Sequence, residues 1–447
     1  MKQTEITTKP QFLLSSPVCG SGKTTLAMGL MSVLSRQGMR VQPFKCGPDY
    51  IDTKYHTYVT KRHSINLDTF LATDQHIYDL YTDYSASAHV CIVEGNTGMY
   101  DGYLQDQGST AHVARLLDLP VILVINARNM AYSVAPLLYG YVHFDEKVRI
   151  AGVIFNKVRS DRHKQMLLDA CQEVGVECFG CLPYSEDLEF KYRRRGLNYS
   201  QRNGDFMRYK KRLMRTVGEN IRIDRILETT AVPQKDAGER EKLHVKNTSR
   251  KMNIAVALGE ESFSFVFAEH LKKLKSMGTV KYFLPETSTS LPFDKVDLLY
   301  LPGGYPENNC FSLENNARMR RVIADYIEAG GKTLAECGGM IYLSKAIQTG
   351  QGMYEMAGIL PHVISAREQD KKMTMGYRHF DYNGIHIRGH EYHYTQVLPQ
   401  KEPLPSVAQM YNSHNEPVPT PIYRYKNLIA SYAHLYWGEL DIMDLWK

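Results

Sequence analysis

The alternation of short apolar runs with helical patterns is the feature of this sequence that most constrains its fold. The apolar runs are residues 12–14, 41–44, 90–93, 121–125 and 151–155. Between them lie stretches such as 24–34 and 111–117, in which apolar residues recur at helical spacing. Continuous apolar strands joined by helices indicate a parallel sheet covered on both faces. We therefore predict an open α/β domain in the N-terminal half.

A second α/β domain is predicted after a break in this pattern. From about residue 227 the sequence becomes charged and loses periodicity, which is typical of a linker. Strand patterns resume at 253–258, and the next helical pattern has an apolar face that includes Val266, Phe267, Leu271 and Leu274. A chain of 447 residues also exceeds what one core usually organises. The predicted domains are residues 11–228 and 252–447, joined by a linker at 229–251.

Composition and charge narrow the class of protein. The sequence is 43% hydrophobic and 23% charged with a net charge of +6, and no apolar run approaches the roughly 20 residues that span a bilayer. With a polar start and no signal-peptide pattern, it is expected to be cytoplasmic, with no membrane partner. The clusters at 193–195 and 210–215 match no nucleic-acid module, so no nucleic-acid partner is expected, and a solvated face is the favoured interpretation of 210–215. The sequence does not decide between a monomer and a homodimer.

Eight cysteines without a signal peptide are typical of reduced thiols. Cys178 and Cys181 form a CxxC, a pattern found in redox and metal sites. No second CxxC is present, and the surrounding residues suggest a short buried strand and its exit. The structural interpretation of this pair is therefore favoured.

A glycine-rich loop follows the first predicted strand and leads into a helix. Its residues Gly20, Ser21, Gly22, Lys23, Thr24 and Thr25 form the sequence GSGKTT. Glycines allow backbone N–H groups to surround phosphate oxygens, and the helix presents its positive end. Lys23 is expected to reach the β- and γ-phosphates, and the Thr24 hydroxyl to help hold Mg²⁺. Pro17 stands where the first glycine of the usual pattern belongs.

Carboxylates follow two other predicted strands. Glu94 ends the run at 90–93, and Asp49 and Asp52 lie just beyond the run at 41–44. Ligands bind at the carboxyl ends of strands in open α/β sheets, so we predict that Glu94 and Asp49 act with Thr24 at the metal. Helix capping or loop hydrogen bonding is the alternative for each carboxylate.

A cysteine in the C-terminal half lies between a predicted strand and helix. Small residues flank Cys337, as a sharp turn that exposes a nucleophile requires, and the helix N-terminus is expected to lower the thiol pKa. Backbone N–H groups at Gly304 and Gly338 are candidates for an oxyanion hole. His434 supplies the base for thiolate attack on an amide. Three further histidines, His386, His390 and His393, are too irregularly spaced to favour a metal site.

Together these motifs resemble the cobyrinate a,c-diamide synthase family from residue 11 to about 437. The matching segments are GSGKTT, PFKCGPDYID (43–52), Glu94-Gly95, Asp101-Gly102, Gly108-Ser109-Thr110, LPGGYPE (301–307), AECGGM (335–340), RGHEYHY (388–394) and SYAHLYW (431–437). The resemblance implies a dethiobiotin-synthetase-like ATP domain followed by a class I glutamine amidotransferase domain. It also implies Mg²⁺-dependent amidation of the a and c acetates of a corrin ring. It places Asn156 near the adenine, and Asp49, Asp52 and Asp101 near the acyl phosphate.

The sequence departs from the broader patterns at Tyr436, where class I amidotransferases have a glutamate, so a Cys–His dyad is expected. Residues 192–197 also differ from the sequence that members of this family usually have at this position. The expected enzyme is a ligase that forms acyl phosphates with ATP and amidates them with ammonia from L-glutamine, passed along a shielded path. Hydrogenobyrinate and Ni-sirohydrochlorin are alternative substrates. A nucleotide-switched scaffold with an inactive amidotransferase domain is the alternative from another class.

Overall fold

A computed structural model describes residues 7–188, 204–235 and 251–447. Backbone contacts divide the chain into two compact units, residues 1–243 and 244–447. The predicted segment 192–197, the cluster 193–195 and most of the predicted linker lie outside the described residues.

The N-terminal unit is an α/β domain, as predicted. Its strands are β1 (Thr8–Ser15), β2 (Val41–Cys46), β3 (Ile65–Leu67), β4 (Val90–Glu94), β5 (Val121–Asn126), β6 (Ile150–Val158), β7 (Cys178–Pro183) and β8 (Ala231–Pro233). Its helices are α1 (Lys23–Arg36), α2 (Asp52–Thr60), α3 (Asp74–Ser85), α4 (Thr110–Leu116), α5 (Val134–His143), α6 (Asp161–Val174), α7 (Gly204–Asn220) and α8 (Ile223–Thr229).

The strands β3-β2-β4-β1-β5-β6-β7 form one sheet in that order, and all of these pairs are parallel. The central strand β1 is buried along most of its length, which explains its continuous apolar run. Strand β8 pairs antiparallel with the start of β1. The first residues of the predicted linker therefore belong to the N-terminal sheet, because they complete its pairing beyond residue 228.

The C-terminal unit combines a mostly parallel sheet with a smaller mixed sheet and a smaller antiparallel one. Its strands are β9 (Met252–Ala257), β10 (Gly278–Phe283), β11 (Leu298–Leu301), β12 (Thr333–Glu336), β13 (Ala346–Gln348), β14 (Met353–Glu355), β15 (Val363–Ser365), β16 (Thr374–Tyr382), β17 (Ile385–His393), β18 (Gln396–Val397), β19 (Met410–Tyr411), β20 (Pro417–Val418), β21 (Ile422–Tyr425), β22 (Leu428–Ser431) and β23 (Ala433–Tyr436). Its helices are α9 (Ala268–Met277), α10 (Cys310–Asn315), α11 (Ala317–Glu328) and α12 (Gly338–Tyr342).

The main sheet has the order β10-β9-β11-β12-β22-β21, and β17 pairs antiparallel with β23 in a separate sheet. Helix α9 begins at Ala268, later than the predicted pattern, because Phe267 is extended and Phe265 forms a bridge with Gly303. Two buried apolar clusters, one containing Leu299 and Ile341 and the other Val256 and Ile429, form the core. No described helix is long and apolar enough to cross a membrane.

Candidate functional site

The glycine loop lies between β1 and α1, at the carboxyl end of the central strand. Gly22 has a φ of 97°, in the left-handed region that favours glycine. A Cβ there would lie 2.2 Å from Asn156 Nδ2, which donates a hydrogen bond to the Ser21 carbonyl at 2.9 Å. Glycine is therefore required at this position both for the backbone conformation and for the space that Asn156 occupies. Asn156, at the end of β6, fixes the loop from the neighbouring strand.

Lys23 is buried in the wall of a cavity at this edge of the sheet. Its ammonium donates to the Ser16 hydroxyl at 2.7 Å and to the Thr97 carbonyl at 2.6 Å. The cavity has a volume of about 420 Å³ and is lined by the loop together with Lys45, Glu94, Asn96, Thr97, Asn156, Lys157 and residues that follow β7. The Ser16 hydroxyl and the Thr97 carbonyl are neutral acceptors, so phosphate oxygens entering the cavity would be stronger partners for the ammonium than either of them.

Glu94 is the centre of a buried polar cluster beside the loop. One carboxylate oxygen accepts from the Thr24 hydroxyl at 2.6 Å and from the Lys45 ammonium at 2.9 Å. The other lies 2.7 Å from His56 Nε2. Lys45 also lies 2.9 Å from Asp52 Oδ2, which is 3.3 Å from the Thr24 hydroxyl. The structure thus brings Thr24, Glu94 and Asp52 together around one buried lysine.

The charges of this cluster stabilise one another. Burial alone raises the pKa of Glu94, but the Lys45 ammonium and hydrogen bonds from His56 and Thr24 hold that pKa well below its usual range. Burial lowers the pKa of Lys45, and the charges of Asp52, Glu94 and Asp49 outweigh it and raise that pKa. Glu94 and Lys45 therefore carry full charges at neutral pH. Sequence reasoning assigned no role to Lys45 or His56.

The predicted carboxylates divide into two roles. Asp49 Oδ1 accepts from the backbone N–H groups of Ile51 and Asp52 at 2.8 and 2.7 Å, which matches the capping alternative. Asp101 is exposed, and its carboxylate accepts from the Gly98 N–H at 2.9 Å, which orders the turn that carries the Thr97 carbonyl. Asp52, rather than Asp49, is hydrogen-bonded to Thr24.

The oxygen donors beside Thr24 fit Mg²⁺. A hydroxyl and two carboxylates are the hard ligands that this ion prefers. Among residues 7–188, 204–235 and 251–447, no group of three or more His, Cys, Asp or Glu side chains is arranged to hold a metal by itself. Mg²⁺ at phosphate-transfer sites is commonly held by one or two carboxylates together with nucleotide phosphates.

Cys337 occupies a strained turn between β12 and α12 in the C-terminal unit. Its φ and ψ are 41° and −103°, a conformation that non-glycine residues rarely adopt. The thiol is 2% exposed and lies 3.7 Å from the Tyr392 carbonyl. The backbone N–H groups of Gly304 and Gly338 lie close enough to its sulfur to lower its pKa. The predicted donors of the oxyanion hole therefore converge on the predicted nucleophile.

His434, on β23, lies against the same glycine turn. A Cβ on Gly303 would lie 2.0 Å from the Cε1 atom of the His434 ring. Because Gly303 contacts the imidazole and Gly304 contacts the thiol, a single peptide unit adjoins both groups. The ring also packs against Phe265, with centroids 5.9 Å apart. Tyr436, where related enzymes have a glutamate, donates to Glu269 at 2.6 Å.

The protonation of this pair differs from the sequence-based expectation. Burial and the nearby Glu307 raise the pKa of Cys337, and the two glycine N–H groups only partly oppose this shift. Helix α12 is only five residues long, so its dipole does not overcome burial. Burial, with His390 and His393, lowers the pKa of His434 to about 3. The predicted lowering of the thiol pKa was therefore wrong for the resting site, which holds a thiol and a neutral imidazole.

Glu336 is a buried carboxyl that connects the three strands of this site. Its oxygens accept from the Tyr300 hydroxyl at 2.7 Å and from the Leu435 N–H at 3.0 Å. Tyr300 lies on β11, before the glycine turn, and Leu435 follows His434 on β23. Burial raises the pKa of Glu336 to about 8, despite these hydrogen bonds. Sequence reasoning missed this residue, although a glutamate at the end of an apolar strand was a visible signal.

We expect Glu336→Ala to lower the kcat of glutamine hydrolysis about 10- to 100-fold, because the strands that carry Cys337 and His434 lose their common brace. The replacement also leaves two buried donors unpaired, each at a cost of about 1–3 kcal/mol. Glu336→Gln, which keeps an acceptor for Leu435, should retain most of the activity. Steady-state glutaminase kinetics measure both effects.

Thermal unfolding at a series of pH values distinguishes a protonated, hydrogen-bonded Glu336 carboxyl from a side chain that only fills space. The folded-state pKa of Glu336 lies above the usual glutamate pKa of 4.5, so its protonated form favours the folded protein. That contribution is lost as the pH rises through about 8, and Glu336→Gln lacks this loss. Equal dependence of wild type and Glu336→Gln on pH between 5 and 9 in thermal unfolding would contradict a protonated buried carboxyl.

Comparison with known proteins agrees with both sites. Residues 13–196 match the model of the CobQ/CobB/MinD/ParA nucleotide binding domain, and residues 253–441 match that of the CobB/CobQ-like glutamine amidotransferase domain. A cobyrinate a,c-diamide synthase of Caldanaerobacter subterraneus subsp. tengcongensis is 38% identical over 86% of each chain. One from Picrophilus torridus is 33% identical over 95% of each chain.

The chain belongs to the cobyrinate a,c-diamide synthase family. It is therefore an enzyme of the glutamine amidotransferase class with a nucleotide-binding domain, and the predicted fold class is confirmed. A hydrogenobyrinate a,c-diamide synthase of Mycobacterium bovis is 35% identical over 86% of each chain. Members of this family thus differ in the macrocycle that they are named for.

Proposed function

We propose that this enzyme amidates the a and c acetate carboxylates of cobyrinate, with ATP as the energy source and L-glutamine as the nitrogen source. The observation that carries this proposal is the glycine turn that adjoins both Cys337 and His434, in a chain that also has a phosphate loop. The names of its relatives support the substrate class. Hydrogenobyrinate is the second candidate, because relatives at 35% identity carry that name.

In the N-terminal unit, the substrate carboxylate attacks the γ-phosphate of ATP and ADP leaves. Lys23 binds the transferring phosphoryl group and offsets its charge in the transition state. Thr24 and Glu94, with Asp52 beside them, would hold Mg²⁺, which would neutralise charge on the nucleotide phosphates when bound. Lys45 forms ion pairs with Glu94 and Asp52, and its charge keeps Glu94 ionised. Asn156 holds the glycine loop in shape at the wall of the nucleotide cavity.

In the C-terminal unit, glutamine binding brings an amide carbonyl against the Cys337 thiol. The neutral His434 accepts the thiol proton as sulfur attacks, because its low pKa keeps the imidazole unprotonated at neutral pH. The N–H groups of Gly304 and Gly338 stabilise the tetrahedral oxyanion. The imidazolium then gives its proton to the departing ammonia, and water releases glutamate from the thioester.

We further propose that Glu307 binds the α-ammonium of glutamine. Glu307 lies in the short 3₁₀ turn Pro306–Asn308, three residues after Gly304. Among the described residues its Oε2 atom is buried with no hydrogen-bond partner, and its charge acts on the thiol. Burial raises the pKa of Glu307 to about 7, partly opposed by its own N–H and by Lys371. An ammonium group from the substrate would pair this carboxylate.

We expect Glu307→Gln to raise the KM for glutamine about tenfold or more, because a charge-assisted hydrogen bond to the substrate is lost. Amidation driven by ammonium should be unchanged. Glu260→Gln, which removes an exposed carboxylate from the loop after β9, is the matched control. Glutamine analogues that lack the α-ammonium should show little difference between wild type and Glu307→Gln. An equal loss with those analogues would count against the assignment.

Mass spectrometry of the products tests the proposed function. Cobyrinate, hydrogenobyrinate and Ni-sirohydrochlorin are each incubated with the enzyme, ATP, Mg²⁺ and glutamine. We expect two successive conversions of carboxylate to carboxamide with cobyrinate. Preferential turnover of either other macrocycle would reassign the substrate, and no amidation of any of them would contradict the proposal.

A further inference from the structure

A second large cavity lies in the N-terminal unit, away from the phosphate loop. It has a volume of about 870 Å³ and is formed by the end of α1, the end of α2 and the first half of α7. The residues of α1 that line it, Ser32, Ser35 and Arg36, lie toward the opposite end of the helix from Lys23 of the phosphate loop. At a rise of about 1.5 Å per residue, they are about 14–20 Å from Lys23 along the helix axis. Among the described residues, this cavity and the nucleotide cavity share no lining residue.

The lining of this cavity is basic. Its cations are Arg36, Arg40, Lys61, Arg62, Arg208, Lys210 and Lys211, and no aspartate or glutamate is among the described residues that line it. Of these cations, within 7–188, 204–235 and 251–447, only Arg208 forms an ion pair, with the exposed Asp205. The stretch 210–215, predicted from sequence to be a solvated face, thus contributes to a concave site.

Two of the lysines are held close together, and no ion pair of either with a described carboxylate is present. Lys61 and Lys210 lie 4.4 and 5.4 Å from the centre of the same Tyr58 ring. Burial and the charge of Lys61 lower the pKa of Lys210. Cations at helix C-termini often compensate the helix dipole, and this explains Lys61 and Arg36. It does not explain Lys210, which lies in the first half of α7.

Apolar side chains complete the cavity. Met39, Val59, Met207 and Met214 line it beside the cations, and Met207 is 44% exposed. A simple inorganic anion would contact only the cations of the lining. A molecule with an apolar body and several anionic groups would contact both the apolar side chains and the cations. Its volume is within the range of small-molecule sites.

We infer that this cavity is a second, non-catalytic binding site for a polycarboxylate with an apolar ring body. This inference rests on the proposed function for the identity of that polycarboxylate, which is the macrocycle that the enzyme amidates. Bound here, substrate or product is held on the enzyme apart from the nucleotide site. Flexible methionines suit a ring that carries differing numbers of amides.

Calorimetric titration of the full-length enzyme with cobyrinic acid tests this inference. We expect two macrocycles to bind per chain in wild type and one in Lys61→Gln/Lys210→Gln, with binding at the lost site weakened about tenfold or more. Lys272→Gln/Lys275→Gln removes two exposed lysines from α9 and should leave both sites intact. If the first double variant fails to fold, Arg36→Gln/Lys211→Gln replaces it.

Separate arms of the experiment identify the ligand class. Tripolyphosphate and ATP should not displace the macrocycle that depends on Lys61 and Lys210. Displacement by tripolyphosphate would reassign the cavity to phosphates, and one macrocycle per chain in every variant would overturn the inference. The mass-spectrometric assay reports the proposed function independently, since Lys61→Gln/Lys210→Gln leaves the residues of both reactions unchanged.

Discussion

Replacing Cys337 with alanine should abolish glutamine-dependent amidation and leave ammonium-dependent amidation intact. The Cys337 thiol is the group that we propose to form the glutamyl thioester, so we expect a loss on the order of 10³-fold or more in glutamine-dependent kcat. High ammonium bypasses this step, because the acyl phosphate forms in the N-terminal unit. Product formation is measured with each nitrogen source in turn.

Cys310→Ala is the matched control for this experiment. Cys310 is also buried in the C-terminal unit, but its sulfur lies against the carbonyls of Pro306 and Glu307 rather than the glycine N–H groups. We expect this variant to retain glutaminase activity. Loss of ammonium-dependent amidation in Cys337→Ala would mean that the two reactions are not divided between the units as proposed.

Replacing Lys23 with alanine should remove amidation from either nitrogen source. Its ammonium donates hydrogen bonds to two neutral acceptors at the wall of the nucleotide cavity. We expect phosphate oxygens of bound ATP to replace these acceptors. Without it, charge on the transferring phosphoryl group is left without its lysine partner, and we expect a loss of about 10³-fold in ADP formation. Coupled ADP release and product mass measure the effect with glutamine and with ammonium.

An exposed lysine on another helix controls for the loss of charge. Lys164, on α6, is exposed, and Lys164→Ala should leave ADP formation unchanged. Substantial amidation by Lys23→Ala would contradict the assignment of the glycine loop as the phosphate site. Glutamine hydrolysis alone by Lys23→Ala would not, because that reaction takes place at Cys337 and His434 in the C-terminal unit.

Local patterns in the sequence were sufficient to predict the parallel sheet and both reactive loops. The first strand, the glycines and Lys23 are neighbours in the chain. The small residues that flank Cys337 likewise indicate a sharp turn without any information from distant segments. Contacts that depend on strand order were not predictable in this way. Lys45 is the ladder neighbour of Glu94 because β2 pairs with β4, and nothing in either segment alone specifies that pairing.

The hydrogen bonds of Glu336 were not predictable for the same reason. Its partners Tyr300 and Leu435 are distant in the sequence and adjacent only in the folded unit. The protonation of Cys337 was mispredicted for a related reason. Burial is a property of the packed core, whereas the position of a helix after the cysteine is visible in the sequence. The role of Asp49 likewise depended on which backbone N–H groups its carboxylate reaches.

The most direct test of the whole account follows the amide nitrogen and ADP in one reaction. The enzyme is given ATP, Mg²⁺, cobyrinate and glutamine labelled with ¹⁵N in the side-chain amide, together with unlabelled ammonium at a concentration that supports little turnover by itself. We predict one ADP and one glutamate for each amide formed, with ¹⁵N in the product. Unlabelled product amides, or glutamate and ADP released without matching amide formation, would contradict the account.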